Sequence, residues 1–250
     1  MDRNRADIVL VARGYYPSRA KAREAIEASL VKVDGAVLAK PSALIGEAAQ
    51  IEARQPYPWV SRGGVKLTAA LDTFGIDPAG LTCLDIGAST GGFSHVLLES
   101  GAALVYAVDV GRGQLSPQLA NREKLVSMEQ CDARALTAED FREPPDLAVF
   151  DVSFISLRLV FPNVLPLLAD DAAIAALIKP QFEAGRERVA KGVVRDEATH
   201  HAVCNSIRTF LEAEGWRVTA LVPSPIEGGD GNREFLIGAL RGNPAFARGA

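Results

Sequence analysis

Four charged residues stand where apolar structure would be the default. Lys66 follows Ser61-Arg62-Gly63-Gly64-Val65, and Asp151 ends the apolar run Leu147-Ala148-Val149-Phe150. Lys179 ends the run from Ile174 to Ile178 and is fixed by Pro180. Glu234 follows Glu227-Gly228-Gly229-Asp230-Gly231-Asn232 and opens the last apolar run. Any one of them alone reads as surface charge. As a set, two lysines and two acids recurring at element ends are harder to dismiss, and Asp151 and Lys179 stand at the strand ends where open α/β sheets bind ligands. A lysine serves as base only in its neutral form, which its ordinary pKa of about 10.4 disfavours at neutral pH.

A second constellation is Leu84-Asp85-Ile86-Gly87-Ala88-Ser89-Thr90-Gly91-Gly92-Phe93, which follows an apolar run and opens an apparent helix from Phe93 to Ser100. Glycines at such a turn let backbone approach a ligand, and the helix start offers free N–H groups. The spacing is neither G-x-G-x-x-G nor G-x-x-x-x-G-K-[ST], so neither a dinucleotide nor a nucleoside triphosphate is indicated. The plainer alternative is a tight turn with no ligand. Asp109 ends the next strand-like run, where an acid can accept hydrogen bonds from a ribose diol. Asp132, in Gln130-Cys131-Asp132-Ala133-Arg134, stands where a third strand would end and could reach an adenine amino group. Each Asp singly reads as a cap or turn residue. A diol and an adenine without a diphosphate pattern fit S-adenosylmethionine better than a nicotinamide cofactor.

The elements that position these groups fall into two parts. Gln55-Pro56-Tyr57-Pro58-Trp59 carries two prolines and reads as a linker. The expected division is a module over 1–55, a linker over 56–61 and a second domain over 62–250. In the module, a short helix from Arg5 to Arg13 ends at Gly14, and Ser18 caps a second from Arg19 to Ala28 that buries Ala22, Ala25 and Ile26. A hairpin follows around Asp34-Gly35, then a strand from Gln50 to Ala53. So few residues bury only a small core, which marks an accessory module. Beyond the linker, a helix spans Val65 to Phe74. Apolar runs then alternate with helices at Thr82–Ile86, Leu104–Val108, Leu147–Phe150, Ala172–Ile178, Val218–Val222 and Phe235–Leu240. Such runs indicate a mostly parallel sheet covered on both faces.

Charge is unevenly spread. The chain has 250 residues and a formal net charge of -4, yet residues 1–55 hold nine Lys or Arg against seven Asp or Glu. The basic excess therefore lies in the module, where a phosphate-binding surface would be sought. Arg19 and Arg23 lie four apart on one helical face with Lys21 beside them, and Arg5 and Arg13 precede them. Such groups position a phosphate backbone without reading sequence; the alternative is the solvated face of a protein-binding module. Cys83, Cys131 and Cys204 form no C-x-x-C pair, and His95, His200 and His201 show no ligand spacing, so no metal is expected. His200-His201 reads as an exposed helical pair. No run approaches the roughly 18 apolar residues of a membrane span, and no signal-type segment opens the sequence, so a cytoplasmic protein is expected.

The motifs carry a resemblance. Residues 61–240 resemble the FtsJ-type ribose 2′-O-methyltransferases, whose Lys-Asp-Lys-Glu tetrad matches Lys66, Asp151, Lys179 and Glu234. Trp59 to Leu67, Val108 to Leu115, Asp151 to Leu157 and Lys179 to Glu183 narrow this to the TlyA family of rRNA methyltransferases, also named haemolysins. That family carries an N-terminal RNA-binding domain of the ribosomal-protein S-four type, similar here at Arg5-Ala6-Asp7, Arg13-Gly14-Tyr15, Ser18 to Ala22 and Val31 to Gly35. Ala6 replaces a usual Leu, Ser29 a usual Gly and Asp132 a frequent Asn.

The resemblance implies an α/β fold: a Rossmann-like methyltransferase domain with a mostly parallel seven-stranded sheet, plus a small α+β RNA-binding domain. It implies methyl transfer from S-adenosylmethionine to a ribose 2′-hydroxyl of rRNA or of assembled ribosomal subunits, on cytidine, with Lys179 as candidate base. The cofactor set would be Asp85, Gly87, Ala88, Ser89, Thr90, Gly91, Gly92 and Phe93, then Asp109 and Val110, then Asp132 and Ala133. The RNA set would be Arg5, Arg13, Arg19, Lys21 and Arg23. The rivals are a membrane-active haemolysin and a non-catalytic RNA-binding protein with a degenerate methyltransferase fold.

Overall fold

The computed structural model describes residues 3–189, 192–228 and 231–247 and divides into two units, the first ending at Pro58 and the second beginning at Trp59. The first unit runs β1 (Arg3–Arg5), α1 (Ala6–Ala12), α2 (Arg19–Glu27), β2 (Val31–Val33), β3 (Ala36–Val37), β4 (Leu44–Gly46) and β5 (Ile51–Ala53). Ser18 starts α2 by accepting a hydrogen bond from Lys21 N at 3.3 Å. Asp34 and Gly35 take φ of 50° and 80°, as a tight hairpin turn requires, and join β2 to β3. Ser29 sits at φ 59°, so the preceding left-handed turn is made without glycine, at some cost. The pair β1–β4 was not foreseen, because Arg3-Asn4-Arg5 is wholly polar and shows no alternation. Leu10, Tyr16, Ile26, Val31 and Ile45 fill the small core, and Tyr16 donates its hydroxyl to Arg54 O at 2.7 Å.

The second unit opens with Trp59 against the His95 ring, 5.5 Å between centroids, and continues as α3 (Gly63–Phe74), β6 (Thr82–Ile86) and α4 (Gly92–Glu99). Then come β7 (Leu104–Asp109), β8 (Leu125–Glu129), β9 (Leu147–Phe150), α5 (Leu157–Val164), β10 (Ala172–Ile178) and α6 (Pro180–Glu183). The last elements are α7 (Glu197–Ala213), β11 (Arg217–Pro223) and β12 (Phe235–Arg241). They form one seven-stranded sheet in the order β11-β12-β10-β9-β6-β7-β8, parallel from β10 to β8, with β12 antiparallel to both its neighbours.

The apolar runs are explained by burial on both faces. In β10, Ala172, Ile174, Ala176 and Ile178 pack with α5 and α7, while Ala173, Ala175 and Leu177 pack with α3 and α4. Edge strand β8 is only partly buried, which is why its residues form no conspicuous apolar run. The chain leaves β6 on one side for β7 and β8, then returns on the other for β9. That reversal leaves a crevice at the carboxyl ends of β6 and β9, where open α/β sheets bind ligands. Pairing of Ile86 with Phe150 sets Gly87 beside Asp151, and pairing of Ile178 with Phe235 sets Lys179 beside Glu234.

One sequence expectation is corrected. His200 is 5% exposed, not a surface residue. Its Nε2 lies 3.1 Å from Val194 O and its ring meets Phe235, because the first turn of α7 packs against the start of β12.

Candidate active site

Lys66, Asp151, Lys179 and Glu234 converge on one cavity of about 320 Å³ at the β6–β9 crevice. They form two ion pairs. Lys66, in the first turns of α3, donates from Nζ to Glu234 Oε2, with both side chains buried. Lys179 Nζ lies 2.6 Å from Asp151 Oδ1, at an angle poor for a hydrogen bond, and donates to Ser153 Oγ at 2.8 Å. Gly228 leaves the room that the Glu234 carboxylate occupies, since a Cβ there would collide with it. Gly229 and Asp230 of the same glycine-rich segment lie outside the described residues.

Removing one member of a buried ion pair strands the other charge, which costs about 3–5 kcal/mol. Glu234→Ala is therefore expected to lower Tm by roughly 10 °C. An unchanged Tm in thermal unfolding would contradict the burial of the Lys66 ammonium.

Local structure explains why Lys179 is held. Pro180 opens α6 directly after it, and Glu183 at the end of α6 reaches back to the loop after β9. There it accepts from Ser156 Oγ at 2.5 Å and Leu157 N at 2.8 Å, tying the loop that carries Asp151 and Ser153 to the element that follows Lys179. Burial raises the Glu183 carboxyl above its ordinary range, and those hydrogen bonds oppose the shift.

A second cavity of about 440 Å³ adjoins the first, and Gly87, Ser89, Asp151 and Ser153 line both. Its floor is apolar, from Ile86, Val108, Ala133, Ile155 and Val160. Asp109 ends β7 at its rim, each oxygen fixed by one backbone amide: Oδ2 by Ser89 N and Oδ1 by Gly111 N, both at 2.7 Å. Each oxygen keeps a further lone pair. Asp132 is held by Arg134, which donates from Nη2 at 2.6 Å and keeps the carboxyl at about 2. Three carboxylates and one guanidinium line this cavity, so a cationic ligand suits it and a diphosphate does not.

Not every expected cofactor residue reaches these cavities. Gly87, Ala88, Ser89, Thr90, Gly92, Phe93, Asp109, Val110, Asp132 and Ala133 line one or the other, whereas Asp85 and Gly91 line neither. Gly91 takes φ 87° as the cap of α4, and a Cβ there would strike Leu119 and Leu115. Gly87, at φ 86°, would place a Cβ 2.7 Å from the Asp151 carbonyl. A larger side chain at either position therefore fails first against protein, not in the ligand's space.

Asp85 is fully buried in β6. Its Oδ2 accepts from Ser94 Oγ at 2.6 Å, while its Oδ1 is buried with no partner. Burial pushes its carboxyl up to about 7, opposed by the Ser94 bond, with Asp151 and Asp109 adding repulsion. Unfolded Asp ionises near pH 4, about 3.9, so the folded chain holds an extra proton between that value and about 7. Stability from this group therefore falls as pH rises through that window. Asp85→Asn is expected to unfold at higher denaturant than the parent at pH 8, with the gap shrinking towards pH 4. A gap independent of pH would contradict the assignment.

Residues beyond the expected sets also line the site. Ser61 and Arg62 reach the first cavity, Gln114, Cys131 and Arg134 the second, and Ser153 both. Ser153 stands two places after Asp151 in the same phrase, a signal that was legible. Phe154 is 90% exposed, sits at φ 65° at the mouth, and packs 5.0 Å from the Phe182 ring. A bulky side chain in left-handed backbone is uncommon and costs of order 1–3 kcal/mol.

In the first unit, the five expected RNA-binding cations are all engaged within the protein. Arg5, Arg19 and Arg23 converge on Asp7, and Arg13 donates to the carbonyls of Ala49, Gly46 and Glu47. Lys21 pairs with Glu24 at 3.3 Å and lies 4.3 Å over the Tyr57 ring. Arg19 and Arg23 share one helical face, as their spacing suggests, and both also reach Asp7 while staying about half exposed. Replacing both by alanine would strip a buried carboxylate of two partners as well as removing charge.

Comparison with known proteins identifies the family. Residues 59–241 match the family of FtsJ-like methyltransferases, and residues 5–51 match the S4 domain. The chain is 44% identical to the provisionally named rRNA methyltransferase YqxC of Bacillus subtilis, over 94% of this chain and 85% of that one. It is 42% identical to the 16S/23S rRNA (cytidine-2′-O)-methyltransferase TlyA of Mycobacterium tuberculosis, over 94% and 89%. A provisionally named hemolysin from Streptococcus thermophilus superposes with a TM-score of 0.76 at 39% identity, covering 98% of this chain and 90% of that structure. Among the described residues, no helix is long and apolar enough to cross a membrane. The chain belongs to the TlyA-type FtsJ-like methyltransferases, with an S4 domain ahead of the catalytic domain.

Proposed function

We propose that the protein methylates a ribose 2′-hydroxyl of rRNA, on cytidine, using S-adenosylmethionine. The single observation that carries this reading is the pair of adjoining cavities at the β6–β9 crevice, one holding two Lys–carboxylate pairs, the other apolar and rimmed by carboxylates.

The second cavity fits the cofactor. Its apolar floor suits an adenine, Asp109 offers a fixed acceptor for a vicinal diol, and Asp132 an acceptor for the adenine amine. When bound there, the cofactor supplies an electrophilic methyl on a cationic sulfur. The chain's own groups do the rest. Displacement needs the hydroxyl in line and stripped of its proton. Lys179, in its neutral form, takes that proton at Nζ, and the Asp151 carboxylate then stabilises the ammonium it becomes. Ser153 fixes the Nζ direction, while the Lys66–Glu234 pair walls the same cavity. Phe154, at the mouth, offers an aromatic face to an unstacked base.

The S4 domain supplies RNA affinity through cations that contact backbone phosphates, and the relatives' names point to ribosomal RNA as the substrate class. Purified protein with labelled S-adenosylmethionine should modify unmodified ribosomal subunits or rRNA at one or a few cytidines, mapped by mass spectrometry of nuclease fragments. Label spread over many nucleotides, or absent from rRNA, would overturn the reading.

A further inference from the structure

Asp7 lies at the start of α1 with 0% of its side chain exposed. Arg5 donates to it twice, from Nε to Oδ1 at 3.0 Å and from Nη2 to Oδ2 at 3.2 Å. Arg19 donates twice to the same Oδ2, from Nε at 3.2 Å and Nη2 at 2.9 Å, and Arg23 once from Nε at 3.2 Å. Three guanidiniums from two elements thus share one carboxylate, and their side chains remain 42%, 49% and 48% exposed.

A structural ion pair needs one arginine. Gathering three leaves a local surplus of two positive charges, whose mutual repulsion the fold must bear. Each guanidinium carries five N–H donors. The three spend five bonds on Asp7 in all, so most of their donors remain for something outside the fold. Nε is spent inward in every case, which leaves Nη1 of Arg5 and Arg19 and both Nη1 and Nη2 of Arg23 uncommitted to Asp7. An arginine so anchored loses less side-chain entropy on binding an anion than a free one.

We propose that Asp7 is a positioning residue that holds Arg5, Arg19 and Arg23 as one preformed site for phosphodiester anions of the RNA backbone. This rests on the reading that the S4 domain binds RNA and deepens it. The negative charge of Asp7 raises RNA affinity by ordering its neighbours, although by its sign it repels phosphate. Arg5 first, with Arg19 and Arg23 adding, keeps the carboxyl well below the ordinary carboxylate range, so it stays charged throughout neutral and mildly acid conditions.

The test is filter binding of the full chain to rRNA across a salt series. Asp7→Asn adds one unit of net positive charge, so attraction alone predicts tighter binding. Positioning predicts binding about tenfold weaker, with a shallower salt slope as phosphate contacts are lost. Asp7→Glu, which keeps the carboxylate, should recover part of the loss. Should Asp7→Asn disturb the domain by amide exchange, Arg19→Lys and Arg23→Lys decide instead. Each keeps its charge but loses the fork, and each should weaken binding several-fold at unchanged Tm. Wild-type or tighter binding by Asp7→Asn, or by both lysine variants, overturns the proposal. If Arg23→Ala still weakens binding in that case, the RNA reading stands without it. Equal binding by Arg5→Ala, Arg19→Ala and Arg23→Ala overturns both, and points to docking on an acidic protein surface.

Discussion

Lys179→Ala is expected to cut single-turnover methyl transfer by about 10²–10⁴-fold, the range a positioned base contributes. The cavity that would hold the cofactor is lined by other residues, so S-adenosylmethionine affinity should stay within a few-fold. Stability should fall less than on breaking the Lys66–Glu234 pair, because the partner left behind, Asp151, has water access: its side chain is 22% exposed. This separates the two pairs. The Lys66–Glu234 pair is more deeply buried, so its disruption should register first in unfolding. Transfer near the parent rate in Lys179→Ala, measured by rapid quench, would remove Lys179 from the role of base.

Removing residues 1–58 is expected to abolish most rRNA methylation while leaving cofactor binding intact. The seven-stranded sheet closes its own core on both faces without any residue of the first unit, so the remaining chain should fold. Its composition is net acidic, and it loses the arginines gathered at Asp7. If three phosphate contacts go with them, the slope of log K against log salt should flatten by about 2. Calorimetry for the cofactor and filter binding for RNA measure the two halves separately. Parent RNA affinity and salt slope in the truncated chain would place the RNA-binding surface in the catalytic domain.

The two units were legible to different degrees. Strands such as β10, buried on both faces, write themselves as unbroken apolar runs, and Asp151 and Lys179 stand out because they end such runs. Those two were readable for that reason, since charge directly after a buried strand is rare without a task, whereas Lys66 and Glu234 follow glycine-rich segments instead. What the sequence hid was pairing. Nothing in the spacing of Lys66 and Glu234, 168 residues apart, says that they meet; β12 running antiparallel beside β10 brings Glu234 to Lys179's edge. The same blindness hid what the arginines touch. Arg19 and Arg23 do share a helical face, but that face turns towards Asp7, a residue the pattern of charges offered only as part of a motif. Asp85 shows the third kind of loss. An acid in an apolar strand reads as a ligand contact, whereas its depth below the crevice shows only in three dimensions.

Alkaline hydrolysis of the product distinguishes a ribose oxygen from a base as the methyl acceptor. Alkali cleaves RNA through the free 2′-hydroxyl, so a methyl on that oxygen protects the adjoining phosphodiester. rRNA labelled by this protein from S-adenosylmethionine carrying a tritiated methyl should release its radioactivity as an alkali-stable dinucleotide that begins with cytidine. Radioactivity recovered in mononucleotides would mean that a base was methylated, and would rule out the 2′-oxygen as acceptor.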